Sequence, residues 1–244
     1  MKRGKKVILK ILLIVAVILA AFILFFLFYY NKAHDEALEI VDEMEEVDGD
    51  YYFYGDSDVG FIIFNGAKAD ERGYAYIAKL LHDAGHTAVL PKAKFHMSSF
   101  ETDHGLEIMR SNPQIKKWIL IGHSLGGLPV GQIAAQEPEG LVGVAFLASY
   151  MNVDLSETDL SAIRITAELD GVMNKERMEQ HLDYLPERST SVMLEGANHR
   201  GFGAYGWISF EQEASITWME QQETSVELIL DFFSDEIASS DGKE

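Results

Sequence analysis

Residues 118–127 read Trp118-Ile119-Leu120-Ile121-Gly122-His123-Ser124-Leu125-Gly126-Gly127. An apolar run of strand character enters Gly-x-Ser-x-Gly, and Leu125–Gln136 beyond it has the apolar spacing of a helix. A chain that turns this sharply from strand to helix places Ser124 in a strained backbone conformation. Only small residues at 122 and 126 leave room for the turn. The Ser124 hydroxyl is thereby lifted clear of the sheet beside a helix N-terminus, with the Leu125 N–H directed at any oxyanion formed there. A Gly-rich turn with a capping serine is the plainer reading of the same letters, and the strand before and helix after favour the reactive one.

A serine hydroxyl is a poor nucleophile without a base to take its proton. A strand–turn–helix elbow of this type predicts an acid and then a histidine, each after a later strand. Ile163–Ala167 is followed by Glu168-Leu169-Asp170-Gly171-Val172, which nominates Asp170 as the orienting acid, with Glu168 its rival and Asp154 and Asp159 weaker candidates. Ser191–Leu194 is followed by Glu195-Gly196-Ala197-Asn198-His199, which nominates His199 as general base. His123, the variable position of the elbow, is expected to pack there. Acyl transfer also needs a second oxyanion donor, and Asn65-Gly66-Ala67-Lys68 after the run Val59–Phe64 supplies a loop with Gly66 for close approach and the Ala67 N–H as donor.

Val59–Phe64, Thr87–Leu90, Trp118–Ile121, Leu141–Leu147, Ile163–Ala167 and Ser191–Leu194 read as strands, with Tyr51–Tyr54 as an added edge strand. Asp70–Ala84, Glu101–Ser111, Leu125–Gln136, Asn174–Leu185 and Ser225–Ile237 read as helices. Near-continuous apolar strands alternating with helices predict an α/β fold: a mostly parallel sheet covered on both faces, with ligands at the carboxyl ends of the strands. The domain is expected over residues 51–238, with a polar tail at 239–244.

Ile11–Tyr30 carries no charge, Pro or Gly. Twenty residues at ~1.5 Å each reach ~30 Å, the thickness of a hydrocarbon core. Lys2, Arg3, Lys5, Lys6 and Lys10 precede it, so residues 1–10 are expected in the cytoplasm and the remainder outside the cell membrane. A cleaved signal peptide would have a shorter core ending in small residues; this run ends in Phe-Leu-Phe-Tyr-Tyr, which favours a retained anchor over residues 11–30. Residues 31–50, rich in Asp and Glu, read as an acidic helical stalk that is solvated and binds nothing.

The whole chain of 244 residues has a net charge of −19, and since residues 1–30 hold five bases and no acid, the remainder stands at −24. That charge argues against nucleic-acid binding, and the apolar content of 48% argues against disorder. There is no cysteine, so disulfides, thiolate metal sites and a Cys nucleophile are excluded.

The strings FNGAKAD (64–70), VLPKAKF (89–95), WILIGHSLGG (118–127), FLASY (146–150), ELDGV (168–172) and EGANHRGFGAYG (195–206) resemble the α/β-hydrolase superfamily and, within it, small bacterial hydrolases similar to dienelactone hydrolase. The resemblance implies Ser124, Asp170 and His199 as catalytic triad and oxyanion donors at Ala67 and Leu125. It also places Gly66, Lys92, Phe202 and Tyr205 on loop strings near the site, with packing or substrate contact open. The short Ser149–Ala162 connection leaves no space for a cap domain, which disfavours a lidded lipase. The expectation is a membrane-anchored serine hydrolase of the carboxylesterase kind, acting on a small-molecule acyl substrate without metal or organic cofactor. A catalytically silent binding module, or an acyltransferase or peptidase with the same three groups, stays open, and the oligomeric state is not legible.

Overall fold

The computed structural model describes residues 2–149, 153–206 and 210–238. Tyr150 and the polar tail 239–244 lie outside them. The chain divides into two compact units, Met1–Tyr30 and Asn31–Glu244. The first is a single helix, α1 (Lys2–Phe28). Its segment Lys6–Phe28 is long and apolar enough to cross a membrane. It starts before the predicted apolar run and leaves Tyr29 and Tyr30 beyond its end.

The second unit is built on one sheet of eight strands: β1 (Glu45–Val47), β2 (Asp50–Phe53), β3 (Val59–Phe64), β4 (Thr87–Leu90), β5 (Lys117–His123), β6 (Leu141–Leu147), β7 (Ser161–Ala167) and β8 (Ser189–Leu194). Their spatial order is β1-β2-β4-β3-β5-β6-β7-β8. The first two pairings, β1 with β2 and β2 with β4, are antiparallel, and all others are parallel. The helices are α2 (Asp35–Val41), α3 (Ala75–Asp83), α4 (Thr102–Ser111), α5 (Gly127–Ala134), α6 (Lys175–Gln180), α7 (Trp218–Phe232) and α8 (Ser234–Ala238).

Successive side chains of a strand face opposite ways. Phe61 and Ile63 of β3 therefore join Ile77 and Leu81 of α3 and Val226 and Ile229 of α7 in one buried layer. Ile62 and Phe64 join Ile108 of α4 and Val130 and Ile133 of α5 in the other. Both faces are covered, which is why the strands read as unbroken apolar runs. The register aligns the carboxyl ends: Phe64 lies opposite Gly122, Leu147 opposite Ile165, and Ala167 opposite Leu194. The loops after β3, β5, β7 and β8 thus leave from one edge of the sheet.

The segment expected as a solvated stalk packs instead into the second unit. Ala37 of α2 is fully buried, the His34 N–H donates to the Ala204 carbonyl, and Asn31 bridges to Ala69. Asp48 (φ 53°) and Gly49 (φ 96°) make the left-handed pair of a tight hairpin joining β1 to β2. Tyr51–Phe53 is consequently an inner strand rather than an edge. The last long helix begins at Trp218, earlier than the apolar pattern suggests, because Thr217 and Glu220 form a capping box. No helix or strand lies between β6 and β7 among the described residues, in keeping with a fold that has no cap domain.

Candidate active site

Ser124 follows the last residue of β5 and has φ 52°, in the left-handed region that non-glycine residues avoid. A short 3-10 turn, Ser124–Gly126, leads into α5. The turn is possible only with glycines on both sides. A Cβ at Gly122 would stand 2.6 Å from the Gly126 carbonyl oxygen, and one at Gly126 would collide with the Phe64 carbonyl oxygen. The Ser124 carbonyl is anchored from just beyond the next strand, where the Ser149 hydroxyl donates to it at 2.6 Å. The Ser124 side chain is half-buried, and its hydroxyl bonds to no other described residue.

Asp170 is buried at the end of β7 and accepts three hydrogen bonds. Oδ1 takes the N–H groups of Val172 at 2.8 Å and Met173 at 2.9 Å, and Oδ2 takes His199 Nδ1 at 2.8 Å. Burial opposes the Asp170 charge, but the His199 ring and the two N–H groups outweigh it, so the carboxyl titrates below the ordinary carboxylate range. Its rival Glu168 is engaged elsewhere, since its Oε2 accepts the Gly196 N–H at 2.8 Å and pins the turn ahead of His199. Asp154 is exposed and caps Ser156.

His199 is 2% exposed. Its loop is held by Gln221 of α7, which is fully buried, accepts the Asn198 N–H at 3.1 Å and donates to the Asn198 carbonyl at 2.8 Å. The Asn198 side chain in turn accepts the Gly201 N–H at 3.0 Å. The His199 ring lies 4.7 Å, centroid to centroid, from that of His123, the neighbour of Ser124. These contacts bring the Ser124, Asp170 and His199 loops to one place, with the Asp170–His199 bond formed.

Gly66 lies against the elbow: a Cβ on it would stand 3.4 Å from Ser124 Cβ and 3.2 Å from His123 Nδ1. Asn65 is buried and closes its own loop, donating to the carbonyls of Gly66 at 3.1 Å and Ala69 at 2.7 Å. Ala67 is exposed, and neither its N–H nor that of Leu125 donates to an acceptor among the described residues. Lys92 is not part of this arrangement. Asp50 accepts its N–H at 2.8 Å and its side chain runs beside Gly49 in the β1–β2 turn. Phe202 and Tyr205 are buried, with rings 5.7 Å and 6.3 Å from that of His123, so they pack behind the elbow.

His123 packs as expected, but with a specific partner that its sequence position does not announce. Its Nδ1 is 2.6 Å from the Tyr74 hydroxyl, which also accepts the Gly66 N–H at 3.0 Å. Tyr74, Ser149 and Gln221 escape a reading by motif because each acts through a side-chain contact made only when distant elements pack. The described residues also bring Asp70, Glu71 and His96 within 4.8 Å of one another. There Arg72 pairs with Asp70 at 2.7 Å, and His96 Nδ1 lies 2.9 Å from Glu71 Oε2, so these groups bond among themselves.

Residues 60–223, well over half of the chain, match the model of the alpha/beta hydrolase family. No curated protein matches the chain. Among solved structures it is similar to MGS-MChE2, an alpha/beta hydrolase enzyme from the sediment metagenome of the Mar Chica lagoon in Morocco, at 14% identity and a TM-score of 0.57, covering 79% of this chain and 98% of that one. Est1E from Butyrivibrio proteoclasticus matches at 13% identity and TM-score 0.56, covering 78% and 98%. A thermophilic esterase from Thermogutta terrifontis matches at 11% identity and TM-score 0.57, covering 80% and 97%. At such identities the likeness is one of fold, and the family match supports a hydrolase activity. The chain belongs to the alpha/beta hydrolase family.

Proposed function

We propose that the chain is a membrane-anchored serine hydrolase that cleaves an ester or similar acyl bond through an acyl-enzyme. Ser124 attacks the carbonyl carbon as its proton passes to His199. The N–H groups of Leu125 and Ala67 receive the oxyanion, and His199 returns the proton to the leaving group. A water activated by His199 then releases the acid and restores Ser124. Asp170 holds His199 with Nδ1 protonated, so that Nε2 is the face that accepts a proton. The observation that carries this reading is the buried 2.8 Å Asp170–His199 bond at the same sheet edge as a strained, half-exposed Ser124. Hydrogen bonds to a catalytic serine are often loose before substrate arrives, which accommodates a Ser124 hydroxyl that bonds to neither.

The apolar segment Lys6–Phe28 supports the anchor, and the bases ahead of it support a cytoplasmic N-terminus with the hydrolase unit outside. The test is hydrolysis of a small acetyl aryl ester together with fluorophosphonate labelling. The wild type is expected to turn over and to label at Ser124, and Ser124→Ala to do neither. Undiminished hydrolysis by Ser124→Ala overturns the assignment, and a folded wild type that never labels points to a silent binding module.

A further inference from the structure

We infer that Tyr74 and His123 are a positioning pair that aims the Ala67 N–H at the oxyanion, an inference that rests on the reading of Ser124 given above. Gly66 fits closely where it stands, since a Cβ there would meet His123 Nδ1 at 3.2 Å and Ser124 Cβ at 3.4 Å. A glycine, however, is the residue least able to hold its own conformation. The peptide planes on both sides of it must then be fixed from outside. Asn65 fixes the plane after it by donating to the Gly66 carbonyl. In a planar trans peptide the Ala67 N–H points opposite to that carbonyl, so it faces away from Asn65. Tyr74 fixes the plane before it by accepting the Gly66 N–H at 3.0 Å. Together the two bonds set both backbone angles of Gly66 and hence the direction of the Ala67 N–H.

Tyr74 is itself held by His123, and the proton count says how. A phenol has one proton, and the Gly66 N–H can only donate, so the Tyr74 oxygen is the acceptor there. The Tyr74 hydroxyl is fully buried, and His123 Nδ1 at 2.6 Å is the acceptor beside it. The ring of Tyr205 packs against that of Tyr74, centroids 6.2 Å apart. Were Nδ1 protonated, it would donate to the Tyr74 oxygen, and the buried Tyr74 O–H would be left with no acceptor among the hydrogen bonds that the described residues make, at a cost that folded proteins avoid. His123 Nε2 makes no hydrogen bond among the described residues. His123 is therefore the neutral Nε2–H tautomer, and a chain of bonds runs from Gly66 N–H to Tyr74 to the residue before the nucleophile. The elbow and the oxyanion loop move as one piece.

The experiment uses the full chain in detergent. Tyr74→Phe keeps the ring and removes the oxygen, His123→Leu removes the acceptor, and His123→Asn offers Oδ1 near the place of Nδ1. Expected for Tyr74→Phe and His123→Leu is a fall of about 10- to 100-fold in kcat, less than loss of a whole oxyanion donor, with KM within about threefold. The fluorophosphonate labelling rate should fall in parallel, because its phosphoryl oxygen uses the same donors. His123→Asn should stay within a few-fold of wild type. Folded Tyr74→Phe and His123→Leu proteins that hydrolyse and label at the wild-type rate overturn the inference while leaving Ser124 as nucleophile, as does an effect confined to KM. Loss of the Ser124 reading would show separately, as activity retained by Ser124→Ala. Should the variants fail to fold, histidine 15N spectra of the wild type decide: a neutral His123 protonated at Nε2 at pH 7 supports the pair, and one protonated at Nδ1 or charged overturns it.

Discussion

Asp170→Asn is the sharpest test of how the site holds its base. The substitution changes one oxygen to NH2 and almost nothing in volume, yet Asp170 accepts from three donors on two oxygens. An asparagine has a single acceptor oxygen, so the amide must choose. If Oδ1 stays with the Val172 and Met173 N–H groups, its NH2 faces His199 Nδ1, which must then be unprotonated. The proton moves to Nε2, and the imidazole presents a donor where the reaction needs a base. To recover the working tautomer the amide must flip, leaving two backbone N–H groups facing an NH2. Unsatisfied buried groups of this kind cost about 1–3 kcal/mol each, so the flip costs about 4 kcal/mol in mid-range. At about 1.4 kcal/mol per tenfold, that is roughly a thousandfold in kcat. Turnover of an acetyl aryl ester by a variant with the wild-type thermal midpoint measures it. A loss smaller than about tenfold would refute the argument and the role of Asp170 with it.

Gln221→Leu should leave the buried Asn198 N–H and carbonyl unpaired, lowering stability by about 1–3 kcal/mol for each, and should lower kcat because the His199 loop loosens; urea midpoints and ester turnover read the two effects. Gly126→Ala drives a Cβ into the Phe64 carbonyl, and a destabilisation of about 1–3 kcal/mol with sharply reduced activity is expected; a variant as stable and active as wild type would show that the elbow has slack. Burial, and then the nearby His199, hold the His123 pKa well below its ordinary value. The unfolded chain therefore binds a proton that the folded chain refuses between that low value and about pH 6.5. Stability from this group is complete above about pH 6.5 and declines as pH falls, by no more than about 1.4 kcal/mol per pH unit. Urea midpoints at pH 7.5 and 5.5 should diverge less in His123→Asn than in wild type.

The parts of this site that are legible in the chain are those written locally. Ser124, Asp170 and His199 each lie a few residues past an apolar run, and a parallel register that sets Ala167 beside Leu194 carries local position into spatial position. The same logic misplaces Lys92, whose loop does leave the correct edge, because Asp50 accepts its N–H and the side chain runs toward the β1–β2 turn. The 31–50 segment misleads for another reason. Its apolar residues keep helical spacing, so Asp48-Gly49 is overlooked as a hairpin turn and the pairing of Glu45–Val47 with Asp50–Tyr52 is lost. Tyr74 and Gln221 leave no trace in the chain, since their partners stand 49 and 23 residues away.

The hydrogen bonds around Ser124 also bear on why the proposed function takes Ala67 and Leu125, and not their neighbours, as the donors. The Gly66 N–H belongs to Tyr74, the Gly196 N–H to Glu168, the Asn198 N–H to Gln221, and the Ser124 carbonyl to Ser149. Each contact occupies a backbone group that would otherwise compete for substrate or let its loop drift. The Ala67 and Leu125 N–H groups donate to no described residue, and they lie in two neighbouring segments, so close that a Cβ on Gly66 would reach Ser124 Cβ at 3.4 Å. On the reading proposed above, an anion between those segments would meet donors with no internal bond to break first, and preorganisation of this kind is where electrostatic catalysis gains most. On the reading proposed above, the strain at Ser124 serves the same end: the elbow holds about 1–3 kcal/mol of backbone strain and leaves the Leu125 N–H without an acceptor among the described residues.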